Sequence, residues 1–227
     1  SMHLHHIFHW MDPELYDPAS EHYDQLIAHK QPYLNQIFWW IRTIAYMVVY
    51  ILFLRVFRKR SIDEDAMSTD NEKALFIKNQ TLAAIFLVIF GYTSTTFSWD
   101  WIMSIDTHWF STIFGWYIFS GMWIGGMIMI TLLTIYLKSK GLMDFVNDSH
   151  MHDMGKWVFG VSFLWTYLFF CQFLLYWYSN IPEEITYFKA RIDDYTWIFW
   201  GTMAVNFILP MLLLMSKDAK RNAGFMM

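Results

Sequence analysis

The stretch "IFWWIRTIAYMVVYILFLRVF", residues 37–57, decides the fold class because it is a long and almost entirely apolar run. A helix needs about 20 apolar residues to cross a hydrocarbon core roughly 30 Å thick. Four more runs, at 74–97, 109–137, 157–178 and 195–215, reach or approach that length. The chain is 56% hydrophobic and only 16% charged, which is too apolar for an ordinary soluble domain. The sequence therefore predicts an all-α integral membrane protein, a polytopic bundle with five transmembrane helices.

The division of the chain follows from these runs. We expect residues 1–36, which are rich in His, Asp and Glu, to form a periplasmic segment. Residues 37–215 form the helical bundle, and residues 216–227 form a cytoplasmic loop or tail. The chain does not begin with Met, and its polar start falls on the outer face, so we expect it to be an interior portion of a longer protein.

Positive charge predicts the orientation. Cytoplasmic loops of membrane proteins hold an excess of Lys and Arg. Alternate connections of this chain place 12 of its 16 Lys and Arg residues on one face, which we take as cytoplasmic. The opposite face holds Lys30, Arg42, Lys189 and Arg191. The predicted location is the inner membrane of a bacterium, crossed several times.

Several classes of cofactor have no ligands in this sequence. The nine His residues all lie outside the five runs, so a haem held between membrane helices is not expected. Cys171 is the only cysteine, and no phosphate-binding or dinucleotide-binding Gly motif is present. We therefore expect no covalently attached or metal-ligated cofactor, and nothing indicates binding of nucleic acid.

The N-terminal run "HLHHIFHWMD" collects imidazoles close to Asp12. His5 and His9 are four residues apart and His6 and His9 are three apart, which would suit a metal on a helix. Proton acceptance at a periplasmic opening and a hydrogen-bonded structural cap are the two other interpretations. We expect no bound metal, and we retain the last two interpretations.

A second group of titratable residues lies in "SWDWIMSIDTHWFSTIFGWYIF", residues 98–119. Asp100, Asp106 and His108 stand between two apolar runs, and the stretch contains no Lys or Arg. Carboxylates at an apolar boundary have raised pKa values and suit proton transfer. They are free to titrate unless Arg42 or Arg191 reaches them from elsewhere in the fold. In the alternative interpretation, Asp106 caps the third span and Asp100 binds turn amides.

Other polar residues complete the set of candidates. Glu183 and Glu184 follow Pro182 and are expected in the first turn of a short helix. Polar residues inside the spans should point into the bundle; these are Arg42, Thr95, Gln172 and Asn206. The proton-handling candidates are Asp100, Asp106, His108, His6, His9, Asp12, Glu183 and Glu184.

Three strings together resemble a known family. They are residues 98–119, "LWTYLFFCQFLLYWYSNIPEE" at 164–184 and "HHIFHWMDPE" at 5–14. The sequence resembles the ActF-type membrane subunits of bacterial alternative complex III, which belong to the polysulfide-reductase/NrfD-like membrane family. The resemblance implies a parent chain of roughly ten spans with two four-helix bundles.

The resemblance also implies a function. The chain would be a subunit, without a haem or iron–sulfur centre, of a quinol:electron-acceptor oxidoreductase such as a quinol:cytochrome c oxidoreductase. Its partners would be a homologous NrfD-like subunit, an iron–sulfur subunit, c-type haem subunits, lipids and a terminal oxidase. Quinol or menaquinol is the candidate ligand, and the candidate quinol-facing residues are Trp99, Trp101 and His9. Both proton conduction and quinol binding stay open as its contribution.

Two alternatives remain from the residues themselves. An ion or solute transporter or channel would be expected to have paired Gly or Pro interruptions deep in its spans. Only Pro210 approaches that pattern. The other alternative is a purely structural scaffold of the complex.

The orientation can be tested by cysteine labelling. In a Cys171→Ala background we expect Ser20→Cys to react with a membrane-impermeant maleimide in intact cells, and Asp148→Cys to react only after the membrane is opened. The reverse pattern would overturn the assignment of residues 1–36 to the periplasm.

Overall fold

The structure is a computed structural model that describes residues 7–65 and 72–221, and within these ranges it contains helices and turns but no strand. The longer elements are α1 (Gln25–Lys30), α2 (Gln36–Asp65), α3 (Glu72–Trp101), α4 (Phe114–Ser139), α5 (Asp148–Ser179), α6 (Pro182–Asp193), α7 (Thr196–Met203) and α8 (Leu209–Leu214). Short 3₁₀ turns lie at His9–Met11, Pro13–Tyr16, Met103–Ile105 and Ala219–Arg221.

Five segments of the described chain are long and apolar enough to cross a membrane. They are Gln36–Asp65, Leu75–Ile105, Phe114–Ser139, Asp148–Ser179 and Thr196–Leu214. Many apolar side chains on them are exposed, as expected where lipid or a partner chain covers the surface. The prediction of an all-α polytopic membrane fold is confirmed, and the chain is a multi-pass membrane protein.

The helix ends differ from the apolar runs. The helix of the fourth span begins at Asp148, nine residues before the predicted start at 157, because Asn147 caps it. The Asn147 side chain accepts hydrogen bonds from the N–H groups of Ser149 and His150, and the His150 ring accepts one from Asn147 N–H. This reciprocal capping box begins a helix in polar sequence, where hydropathy gives no signal. The third span begins later than predicted, at Phe114 instead of 109.

The chain divides into two compact units, Ser1–Phe110 and Ser111–Met227. In the first unit, α2 and α3 form an antiparallel pair. Tyr50 contacts Phe90 and Phe86, with its hydroxyl 2.8 Å from Thr93 Oγ1, and Phe53 packs on Phe86 with ring centroids 4.9 Å apart. Aromatic packing thus joins two helices whose other faces are exposed.

A cap folded from the N-terminal segment packs at one end of the α2–α3 pair. Its buried apolar cluster consists of Phe8, Trp10, Met11, Leu15, Ile27 and Leu34, together with Trp39 of α2. The Tyr16 hydroxyl donates to the main-chain oxygen of Trp10 at 2.6 Å and lies 3.3 Å from that of Leu34. Burial raises the pKa of Tyr16, so its hydroxyl remains a donor. Residues 7–34 therefore form a folded cap on this end of the pair.

The second unit contains α4 to α8. The α4 and α5 helices run antiparallel, with Tyr117 against Trp165 at one end and Trp123 against Trp157 further along. The last span returns along α5, because Phe199 contacts Phe169 whereas Phe207, later in the chain, contacts the earlier Phe163.

Two local features shape this unit. Asn180 ends α5 in the left-handed conformation at φ 49°, and Pro182 occupies the first turn of α6. In the last span, a π-helical turn at Ala204–Ile208 separates α7 from α8. Pro210 follows it, and the extra residue of a π-turn is one way to relieve the clash between a proline ring and the preceding turn.

Candidate functional site

The first unit contains a buried ion pair between α2 and the C-terminal end of α3. Arg42 Nη2 donates to Asp100 Oδ1 at 2.7 Å, and Arg42 Nε donates to Asp100 Oδ2 at 2.8 Å. The Asp100 side chain is fully buried and that of Arg42 is 11% exposed. This bidentate geometry is the strongest arrangement available to a guanidinium and a carboxylate.

Further donors and rings complete the environment of the pair. The Asp100 main-chain oxygen accepts from Trp39 Nε1 at 2.9 Å and from Ser104 Oγ at 2.5 Å. Tyr46 Oη donates to Asp100 Oδ2 at 3.3 Å. The guanidinium carbon of Arg42 lies 4.1 Å from the ring centroid of Tyr33, in cation–π contact. The pair therefore joins α2, α3 and the cap.

Tyr33 belongs to this arrangement as well. Its main-chain oxygen accepts from Arg42 Nη1 at 3.2 Å. Partial burial raises the pKa of the Tyr33 hydroxyl, and the negative charge of Asp100 raises it further, although Arg42 opposes the shift. The hydroxyl therefore stays protonated over the physiological range and can act only as a neutral hydrogen-bonding group.

A second, more exposed pair links the cap to the segment after α3. His108 Nε2 lies 2.6 Å from Asp24 Oδ2, and the His108 side chain is 56% exposed. Burial alone would raise the pKa of Asp24, but hydrogen bonds from His108 and from the N–H groups of Ile27 and Leu26 outweigh it and lower the pKa. Asp24 also caps α1 through these two main-chain donors.

Lys30 and Asp106 lie close to this pair. Lys30 Nζ donates to the main-chain oxygen of Thr107. Burial lowers the pKa of Lys30, and the charges of Asp106 and Asp24 oppose the shift without reversing it. Asp106 itself is exposed. Four titratable side chains therefore form one group within the first unit, namely those of Asp24, Lys30, Asp106 and His108.

A cavity of about 200 Å³ adjoins these groups. Its lining includes Lys30, Tyr33, Trp99, Ser104, Asp106 and Trp109. The Trp99 indole Nε1 is buried and has no hydrogen-bond partner among the described residues. Trp101, by contrast, donates to Thr43 Oγ1 at 3.2 Å and packs against Trp39, with ring centroids 4.6 Å apart. Of the two tryptophans predicted to face quinol, only Trp99 lines the cavity.

The structure tests some of the interpretations that the sequence suggested for Asp100 and Asp106 in residues 98–119. Arg42 reaches Asp100 and forms an ion pair with it, which is the exception that the interpretation from the sequence allowed for. Both capping interpretations are wrong. The cap position of α4 is Ile113, which excludes Asp106, and the Asp100 carboxylate binds Arg42 and Tyr46 instead of turn amides. Asp100 also lies within α3, not in a link after it.

The remaining candidates lie in several places. His9 is exposed on a 3₁₀ turn, and Asp12 Oδ1 accepts from Glu14 N–H at 3.1 Å. Thr95 Oγ1 bonds back to the Gly91 carbonyl at 2.9 Å, which satisfies it within its own helix. His6, with His3 and His5, lies outside the described residues.

The second unit holds the other predicted residues. Glu183 and Glu184 occupy the first turn of α6, as predicted. Gln172 is buried in α5, and Asn206 lies in the π-turn. No group of three His, Cys, Asp or Glu residues among those described is arranged to hold a metal.

Sequence reasoning missed Asp24, Lys30, Tyr33 and Tyr46. Asp24 precedes α1 as an N-cap, which its position before a helical pattern could have indicated. Lys30 and the two tyrosines have no local signal, since their partners are distant in sequence. No protein-family model matches the chain, and no curated protein matches it either.

The ion pair predicts a strong effect of Asp100→Asn. The substitution keeps the shape of Asp100 but leaves the Arg42 guanidinium without its counter-ion. Breaking a buried pair from one side costs about 3–5 kcal/mol, so we expect a markedly lower melting temperature in detergent and less folded protein in the membrane. Asp153→Asn, which breaks the exposed pair with Lys156, is the control and should change little. Equal stability of the two variants would contradict a stabilising role for the Arg42–Asp100 pair.

The Asp24–His108 pair predicts a pH-dependent contribution to stability. Because the folded-state pKa of Asp24 is lowered, its contribution is present above the unfolded-state pKa of about 4 and is lost as pH falls through the folded value. The difference in melting temperature between the unmodified chain and Asp24→Asn should therefore be present at neutral pH and shrink below about pH 4. Glu21→Gln in the same exposed cap is the control. A difference that does not change with pH would exclude this linkage.

Proposed function

We propose that this chain is a membrane subunit of a respiratory quinol-oxidising complex of the alternative complex III type. It resides in the bacterial inner membrane with the cap on the periplasmic side. It contributes no haem or iron–sulfur centre, and it accepts and releases protons at the cap end of α2 and α3. The three sequence strings that resemble ActF-type subunits support the assignment to this complex.

The observation that carries the proton-handling role is the group formed by Asp24, Lys30, Asp106 and His108. His108 and Asp24 are 2.6 Å apart, and Lys30 interacts electrostatically with both Asp24 and Asp106. Histidine is the side chain whose charge ordinarily changes near neutral pH. Carboxylates beside it can receive a proton or stabilise the protonated ring. Exposure of His108 and Asp106 lets them exchange protons with the surrounding water.

Oxidation of a quinol releases protons together with electrons, and the protons must leave a poorly hydrated place. In this proposal the electrons pass to the iron–sulfur and c-type haem subunits. Protons leave through exposed groups such as those around His108. The Arg42–Asp100 pair stays fixed and holds the cap on the two helices. Trp99, with its buried indole N–H beside the 200 Å³ cavity, is the residue of this unit best placed to contact a quinol headgroup.

A transporter is the second candidate function. The observation that favours it is the interruption of the fifth span by the π-turn at Ala204–Ile208, which contains Asn206. Broken helices at membrane depth form the binding sites of many transporters. Pro210 gives a simpler steric reason for the same turn, so this candidate ranks below the first.

Purification of the tagged full-length protein from its native membrane tests the assignment. We expect c-type haem absorbance and quinol:acceptor turnover to co-purify with it. Within that complex, Asp106→Asn and His108→Gln should lower turnover several-fold or shift its pH profile while the subunit composition is unchanged. Glu21→Gln is the matched control at an exposed acid of the same cap.

The outcomes separate the proposals. A colourless preparation that transports a solute alone would replace the redox complex with the transporter. A coloured, active complex with turnover and pH profile unaffected by both substitutions would keep the assignment and remove the proton-handling role from these residues.

A further inference from the structure

The second unit contains a larger cavity, of about 340 Å³, between α4, α5, α6 and α7. This volume falls in the range of ligand pockets, which begins near 300 Å³. Its walls are largely aromatic. Trp165 and Phe169 stack with ring centroids 5.6 Å apart, and Phe169 also contacts Phe188 and Phe199. A site of this size and composition accommodates apolar groups.

A polar group without a partner lines the same cavity. Gln172 is 2% exposed, and its Nε2 has no hydrogen-bond partner among the described residues, although Tyr176 interacts with the side chain. A buried donor left without an acceptor destabilises the fold. An acceptor oxygen within the cavity would remove that destabilisation.

A cation lies at another part of the lining. Arg191 stacks on Tyr187, with its guanidinium carbon 3.4 Å from the ring centroid, and Nη1 donates to the Tyr187 main-chain oxygen at 2.8 Å. Within residues 7–65 and 72–221, no carboxylate forms a salt bridge with Arg191. Burial raises the pKa of Tyr187, although Arg191 opposes the shift, so the phenol stays neutral and does not neutralise the cation. The remaining guanidinium N–H groups can therefore bind an anion.

The residues that line this cavity indicate which class of ligand it would bind. None of the residues lining the cavity is acidic, so the site favours an anion over a cation. Its α7 wall includes Ile198, 68% exposed on a membrane-spanning helix, so a ligand can extend along an apolar surface. The geometry points to an anionic phospholipid, with its phosphate at Arg191, a glycerol ester carbonyl accepting from Gln172 Nε2, and an acyl chain along α7.

The depths of the two polar groups suit this ligand. Gln172 lies seven residues before the end of α5 at Ser179, which places it about 10 Å along the helix from that end. Arg191 lies in α6, outside the segments that are long and apolar enough to span the membrane. In a bilayer, the ester carbonyls of a phospholipid likewise lie deeper than its phosphate. Arginine is the side chain best suited to phosphate.

This inference is independent of the redox complex and of the proton-handling residues in the first unit. The purified full-length protein, in whatever complex it forms, would be placed in nanodiscs that contain phosphatidylcholine with a small fraction of phosphatidylglycerol. Native mass spectrometry after release from the nanodiscs measures retained lipid, and titration gives an apparent Kd for phosphatidylglycerol. We expect selective retention of phosphatidylglycerol and no competition by inorganic phosphate.

Three variants assign the retained lipid to this cavity. Arg191→Gln and Gln172→Leu should each raise the apparent Kd about tenfold, the effect of one lost polar contact in a desolvated site. Lys189→Gln is the control, because it removes the same charge from the same helix at a residue outside this cavity. Ala190→Phe, at an exposed residue of the lining, should fill the cavity and displace the lipid without removing a buried contact.

Several results would overturn the inference. Equal retention of phosphatidylcholine and phosphatidylglycerol would exclude an anion-selective site, and competition by inorganic phosphate would indicate a site for the free ion. Recovery of a quinone or a fatty acid in place of phospholipid would assign the cavity to another ligand. If Lys189→Gln weakens binding as much as Arg191→Gln, or if Ala190→Phe has no effect, the lipid binds elsewhere on the protein.

Discussion

The bidentate contact between Arg42 and Asp100 is the constraint on which the first unit depends. Removing two charges from water is costly, and the mutual attraction offsets the cost only when geometry and hydrogen bonding are both good. Here both carboxylate oxygens are occupied by the guanidinium, and the Asp100 carbonyl binds Trp39 and Ser104. These requirements fix the end of α3 against α2, and the stacking of Tyr33 on Arg42 places the cap over them.

The same stretch of chain gives two aspartates different properties. Asp100 and Asp106 are six residues apart, yet one is buried against a guanidinium and the other is exposed beside an amine. This difference follows from the end of α3 at Trp101, since the chain after this point leaves the helix and carries Asp106 away from Arg42.

The fold was largely predictable, because hydropathy over about 20 residues is a local property that needs no knowledge of tertiary contacts. Pro182 predicted the start of α6, because proline is favoured in the first turn of a helix. The start of α5 was missed because hydropathy cannot detect polar residues in a helix, although Asn147 offers a capping signal. The Arg42–Asp100 pair joins residues 58 positions apart, and the Asp24–His108 pair joins residues 84 apart. From the sequence, Arg42 could be named as a possible partner of Asp100. Only the packing of α2 against α3 shows that the two side chains meet.

The π-turn at Ala204–Ile208 also sets the rotational register of the last span. One extra residue in a helix turns everything after it by about 100° relative to an uninterrupted α-helix. The two buried residues of α8, Pro210 and Leu214, lie four positions apart on one face, and α8 contacts α5. Without the extra residue these two side chains would be rotated by more than a quarter of a turn relative to α7. The π-turn therefore changes the rotational position of α8 relative to α7, so that each half of this membrane span can pack through its own face.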